Sequence, residues 1–133
     1  MDNKLKGKHL ITTQDWDFED LLKVINLAED MQKNRFGDIY TNILKHKSFL
    51  MFFYNPSVRT RQSFEIAATE LGGHALFLEP SSMRLKTKKS AGETVEDAAN
   101  VMARFAAGLG IRILEDKVPY YGAGDGMLLE YAK

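Results

Sequence analysis

Leu21, Leu22, Ile25, Ala28 and Met31, joined by Val24 and Leu27, recur at spacings of three and four. That period predicts an amphipathic helix from about Asp17 to Lys33, preceded by the polar stretch Thr12-Thr13-Gln14-Asp15. Gly37 ends the region, and a short segment from Ile39 to Leu44 leads to Lys47. The pattern then changes. Ser48-Phe49-Leu50-Met51-Phe52-Phe53-Tyr54 is nearly all apolar and too short for an ordinary helix. It reads as a strand buried on both faces, the habit of parallel sheets. Asn55-Pro56 breaks it.

Phe64, Ala67, Ala68 and Leu71 restore the helical period, and Gly72-Gly73 supplies the stop. His74-Ala75-Leu76-Phe77-Leu78 is the next strand. Strand, helix and strand in so short a span form one βαβ unit with a right-handed crossover. A polar, serine- and lysine-rich loop runs from Glu79 to Ala91, long enough to suggest a functional segment. Thr94-Val95-Glu96-Asp97 resembles a capping box with Asp in place of Glu. Val95, Ala98, Ala99, Met102 and Phe105 follow as an apolar helix face. Gly110-Ile111-Arg112-Ile113-Leu114 is read as a third strand. Beyond Pro119, the run from Gly122 to Gly126 opens a last helix through Met127, Leu128, Tyr131 and Ala132. The order α–β–α–β–α–β–α predicts an α/β fold, a three-layer sandwich around a parallel sheet. Ligands of such sheets sit beyond the carboxyl ends of the strands. The turn after Tyr54 and the region after Ile113 both lie at such ends.

Composition narrows the chemistry. The 133 residues suffice for one compact domain, with 44% hydrophobic and 27% charged residues. Eighteen basic residues balance eighteen acidic ones, so no global field would hold nucleic acid or an anionic membrane. The absence of cysteine excludes disulfides, thiolate catalysis and Cys-based zinc sites. His9, His46 and His74 show no metal-ligand spacing. The N-terminus has no apolar signal core, and no apolar run approaches a membrane span, which makes the cytoplasm the expected location.

Anion binding must therefore be local, and Ser57 to Arg61 is where it concentrates. Two hydroxyls and two guanidiniums share five residues where a strand becomes a helix. A helix N-terminus offers unpaired N–H groups and a partial positive charge, worth about 0.3–1 kcal/mol to an anion. Ser57 and Thr60 add hydroxyl donors, and Arg59 adds charge-assisted bonds of roughly 1.5–3 kcal/mol each. A plain N-cap explains Ser57. It does not explain two arginines at the positive end of a helix, where the dipole disfavours them.

Arg112 is the second candidate. A lone charge inside an apolar strand is costly unless paired. Either Glu115 or Asp116 partners it, or it points off the strand end toward the same anion. Gly122-Ala123-Gly124-Asp125-Gly126 lacks the full dinucleotide pattern, with Met127 at the third glycine position, and reads as a helix start. Lys86, Lys88 and Lys89 read as a solvated loop.

Ser57-Val58-Arg59-Thr60-Arg61 resembles the S-T-R-T-R signature of the aspartate and ornithine carbamoyltransferase family. Phe53-Tyr54-Asn55-Pro56, Ser63-Phe64-Glu65, Leu71-Gly72-Gly73-His74, Gly92-Glu93-Thr94 with Asp97, and Gly110-Ile111-Arg112 fit it too, in order and spacing from Lys45 to Arg112. The opening Thr12-Thr13-Gln14-Asp15-Trp16 with Asn55-Pro56-Ser57 looks closest to the N-acetylornithine branch. The resemblance implies transfer of a carbamoyl group from carbamoyl phosphate to the amino group of an ornithine-like acceptor. It implies that Ser57, Arg59, Thr60 and the backbone at Val58 bind the phosphate, and that Arg112 reaches the carbonyl or phosphate oxygens. Arg59 would stabilise charge on the leaving phosphate, its catalytic role. Arg61 would be structural, paired with Glu93. The resemblance implies no metal or organic cofactor, a cytoplasmic enzyme of arginine biosynthesis, a homotrimer, and no nucleic-acid or membrane partner.

The chain also departs from the family. Val58 stands where threonine is usual. Ser90-Ala91 come directly before Gly92-Glu93-Thr94, with Lys88 and Lys89 further back, which argues against an aspartate-branch mechanism. The family's His-Pro-x-x-Gln and His-Cys-Leu-Pro segments do not occur. Residues 1–133 therefore read as the carbamoyl-phosphate-binding domain, an incomplete first domain of a two-domain enzyme without its amine-binding partner and final strand. Such a chain is expected to bind carbamoyl phosphate or phosphate without useful turnover. The alternative is a non-catalytic phosphate-binding or assembly module.

Overall fold

The computed structural model describes residues 4–84, 91–114, 119, 120 and 122–133. Four helices and three strands alternate: α1 (Phe18–Lys33), β1 (Ser48–Phe53), α2 (Val58–Glu70), β2 (His74–Leu78), α3 (Val95–Phe105), β3 (Gly108–Arg112) and α4 (Ala123–Tyr131). The sheet is parallel in the order β2-β1-β3, so the most apolar strand is the central one. Leu50, Met51, Phe52 and Phe53 are all buried. Alternate side chains of β1 serve opposite layers. Phe49 stacks on Phe64 of α2, with centroids 5.4 Å apart. Leu50 joins Ala98 and Met102 of α3 in a cluster that also takes in Tyr131 of α4. Two helical layers thus enclose the sheet, as the alternating pattern predicts.

The helix starts follow their caps. Ser57 in extended conformation caps α2, and Thr94 with Asp97 closes a complete capping box on α3. The Thr94 hydroxyl and N–H hold the Asp97 carboxyl below the usual carboxylate range. Gly72 has a positive φ of 81°, and a Cβ there would lie 2.5 Å from the Thr41 carbonyl oxygen. Only glycine allows the chain to pass so close between α2 and β2.

Two expectations, the bounds of the third strand and the cover of the helix faces, need correction. The third strand starts two residues earlier and ends two residues sooner than the pattern suggests. Gly108 and Gly110 are strand members, placed against the Phe49 ring, where Cβ atoms would come within 2.9 and 3.2 Å of it. Glycine here marks close packing, not a strand boundary. The segment from Ile39 to Leu44 is a chain of turns, anchored by the Leu44 N–H donating to the Leu71 carbonyl at 2.8 Å. Helix faces are less covered than their periodicity implies. On α1 the buried residue is Asp20, paired with Lys23 at 2.9 Å, while Phe18, Leu22, Ile25 and Leu27 are exposed. Phe105, at the end of α3, is also exposed. A bidentate Arg35–Glu70 pair ties the chain after α1 to the end of α2.

Candidate functional site

Strand β1 connects to β2 through α2, and β2 returns across the sheet to β3 through α3. Neighbouring strands β1 and β3 therefore send their following chain to opposite layers, which makes the crevice at their carboxyl ends the switch point. Both sequence candidates, the Ser57 turn and Arg112, lie there. Phe53 pairs in register with Arg112 at the last step of the sheet.

The backbone at this end is tightly tied. The Tyr54 N–H donates to the Arg112 carbonyl at 2.8 Å. Asn55, 4% exposed, accepts from the Leu114 N–H through Oδ1 at 2.8 Å. Ser57 then caps α2, its Oγ accepting from the Thr60 N–H at 3.3 Å. A hydroxyl that accepts still has its own proton to donate, so Ser57 caps the helix and remains a donor. The N–H groups of Val58 and Arg59 belong to the first turn and have no intrahelical acceptor.

Arg112 approaches this turn from β3. Its Nη1 donates to Thr60 Oγ1 at 3.4 Å, a long and therefore weak bond. Its Nε is buried and has no hydrogen-bond partner among the described residues. Glu115 and Asp116, the carboxylates considered as partners, lie outside the described residues, as do Lys86, Lys88 and Lys89. Arg59 is exposed and takes part in none of the ion pairs among the described residues. The Val58 side chain is exposed, so what Val58 offers the turn is its N–H. Ser57, Thr60 and Arg112 are thus brought together, with Arg59 on the same helical turn.

Arg61 is held differently from expectation. Its Nε pairs with Glu65 at 3.5 Å, one helical turn on, and its guanidinium lies 4.1 Å from the centroid of Phe77. Neighbours in its own βαβ unit occupy it. The Glu93 N–H donates to the Arg84 carbonyl at 2.8 Å, and an Arg61–Glu93 pair is absent among the described residues. An open cleft of about 650 Å³ flanks the turn on the β2 side, lined in part by Ser57, Val58, Arg61, Phe77 and Glu79. Thr60 and Arg112 do not line it. Arg112 meets Thr60 on the β3 side of the turn, while Ser57 and Val58 also line the hollow on the β2 side.

Two residues at this end escaped the sequence reading. Asn55 reads as a strand breaker, yet it is a buried hydrogen-bonding group. Tyr131 reads as one more apolar position of the last helix. Its hydroxyl lies 2.7 Å from that of Tyr54, and both rings meet Phe52 edge-on. Burial pushes both phenols above their ordinary pKa. A hydroxyl at the end of an apolar helix was the available signal. No cluster of His, Cys, Asp or Glu able to hold a metal occurs among the described residues. No described helix is long and apolar enough to cross a membrane.

Residues 8–124 match the family described as aspartate/ornithine carbamoyltransferase, carbamoyl-P binding domain. The chain is 39% identical over 108 residues to the ornithine carbamoyltransferase of Archaeoglobus fulgidus, covering 81% of this chain and 34% of that protein. It is 33% identical over 135 residues to the N-acetylornithine carbamoyltransferase of Xylella fastidiosa, covering 95% of this chain and 39% of the relative. Among solved structures, acetylornithine transcarbamylase complexed with acetylcitrulline superposes with a TM-score of 0.80 at 30% identity, over 94% of this chain and 39% of that one. Anabolic ornithine carbamoyltransferase from Campylobacter jejuni gives 0.74 at 34% identity, over 94% of this chain and 36% of that one. The chain therefore spans less than two-fifths of the length of each of these relatives.

Proposed function

Because the chain belongs to the aspartate/ornithine carbamoyltransferase family, we propose that Ser57 to Thr60 and Arg112 bind carbamoyl phosphate. The observation that carries this reading is the meeting of Arg112 with Thr60 on the first turn of α2. A buried guanidinium nitrogen without a partner is costly. Beside a helix N-terminus, a phosphate oxygen compensates it.

In this reading the N–H groups of Val58 and Arg59 and the hydroxyls of Ser57 and Thr60 hold the phosphate. Arg59 and Arg112 supply the charge. An ornithine-like amine attacks the carbamoyl carbon, the bond from that carbon to the bridging oxygen breaks, and phosphate leaves with the electron pair. Arg59 stabilises the charge that grows on the leaving phosphate, an interaction stronger in the transition state than before it. The amine loses a proton as the new carbon–nitrogen bond forms. Residues 1–133 form the carbamoyl-phosphate-binding domain of a transferase of arginine biosynthesis, cytoplasmic and trimeric. In this reading residues 1–133 supply the donor-binding part of the reaction and, taken alone, bind carbamoyl phosphate without turnover.

A second reading, a non-catalytic phosphate-binding or assembly module, is favoured by the exposed apolar residues Phe18, Leu22 and Ile25 on α1. Titration calorimetry with carbamoyl phosphate tests the first reading. Wild type should bind, and Arg59→Ala should bind about tenfold more weakly or worse, the equivalent of one charge-assisted bond. Equal affinities would remove Arg59 from the site. Self-association with no ligand response would favour the module.

A further inference from the structure

Asn55 has the right partners to set the position of Arg112. The side chain of Arg112 is poorly held by its own contacts: one bond of 3.4 Å to Thr60, and a buried Nε with no partner among the described residues. The backbone around it is held well. On one side of Ile113, the Arg112 carbonyl accepts from the Tyr54 N–H at 2.8 Å. On the other, the Leu114 N–H donates to Asn55 Oδ1, also at 2.8 Å. Two consecutive residues at the exit of β1 thus grip the exit of β3 at two points. The first grip continues the sheet ladder and needs no particular side chain. The second lies beyond the ladder and depends on the Asn55 amide. Where the regular pairing of the strands ends, this bond fixes the direction in which the chain leaves β3.

We infer that Asn55 is a positioning residue: its bond to the Leu114 N–H holds Arg112 against the first turn of α2. The inference rests on the anion site proposed above. The chemistry explains why an amide serves here. A carboxylate would accept the same N–H, but it would place a negative charge beside a phosphate. An aliphatic side chain would leave a partly buried backbone donor without its acceptor, a costly outcome. Asn55 accepts the bond without a charge, from a site almost closed to solvent.

The test is a double-mutant cycle read by titration of the full chain with inorganic phosphate, with amide exchange followed at Leu114. Asn55→Ala should weaken phosphate binding about tenfold, as expected for loss of one charged contact, and should speed exchange at Leu114. In an Arg112→Ala background the same change should leave phosphate affinity where Arg112→Ala put it. A merely structural residue would lower affinity by the same factor in both backgrounds, and that result would overturn the inference. So would unchanged affinity in Asn55→Ala. If Asn55→Ala does not fold, Leu114→Pro removes the donor of the same bond at an exposed position and is read by the same cycle. A wild-type chain that binds no phosphate would overturn the anion site itself, an outcome distinct from a wild type that binds and an Asn55 variant that binds equally well.

Discussion

The guanidinium of Arg112 and the hydroxyl of Thr60 meet at 3.4 Å although 52 positions separate them in the chain. That meeting brings two sequence candidates into contact. It follows from topology: β1 and β3 are neighbours, and the chain leaves their carboxyl ends toward opposite layers.

The meeting also predicts a conflict between stability and binding. Arg112→Met keeps much of the side-chain volume and removes the buried, unpartnered Nε. It should stabilise the chain by about 1 kcal/mol, since an unsatisfied buried group is replaced by an apolar one. The same variant should lose phosphate affinity. Urea unfolding and a phosphate titration of one preparation check both, and a variant that is less stable would argue that Arg112 is already well paired.

Ser57 separates capping from binding. Ser57→Ala should cost about 0.5–2 kcal/mol through loss of the N-cap. Ser57→Asp caps as well as serine and should stay within about 0.5 kcal/mol of wild type. It should nevertheless abolish phosphate binding, because its carboxylate occupies the anion's place. Retained binding in Ser57→Asp would move the anion away from this helix end.

Gly108 should not accept a side chain. A Cβ there would lie 2.9 Å from Phe49 Cδ2, and the ring is already stacked on Phe64. Gly108→Ala should destabilise by about 1–3 kcal/mol, the range for overpacking a filled core. Adding Phe49→Leu should recover part of that loss. Chemical denaturation of the two variants decides it, and a neutral Gly108→Ala would mean that β3 yields.

The Tyr54–Tyr131 pair predicts alkaline sensitivity. Both phenols are raised in the folded chain, chiefly by burial. In the unfolded chain they ionise near the ordinary phenol value of about 10. Above that pH the unfolded state binds fewer protons than the folded one, so stability falls as pH rises. Below it, this contribution is fully present. Replacing both tyrosines by phenylalanine should flatten the decline of the unfolding midpoint above about pH 10. Raised Lys23 and Tyr40 would leave a residual slope.

Much of this architecture is legible in the pattern of residues. The run from Ser48 to Tyr54 reads as a doubly buried strand; β1 takes it up as far as Phe53, with Leu50 to Phe53 buried, and His74 to Leu78 has the bounds its pattern implies. Capping chemistry locates the starts of α2 and α3. Local patterns fail where a distant partner decides the outcome. Gly110 reads as the first residue of β3 until the Phe49 ring is placed over it and over Gly108, where the strand begins. Asn55 looks like punctuation until Leu114 arrives from β3. The partner of Arg61 is Glu65, a choice made by helical spacing and by the ring of Phe77. Periodicity on α1 identifies an apolar face but cannot say what covers it, and little within the described residues does.

The central claim is that one anion sits between the first turn of α2 and Arg112. Amide and guanidinium NMR shifts during a carbamoyl phosphate titration test it most directly. The account predicts saturable shifts at Val58, Arg59 and Thr60 together with the Arg112 side chain, all following one binding curve. Shifts at the lysine-rich loop or elsewhere with those groups unmoved, or separate curves for Thr60 and Arg112, would contradict it.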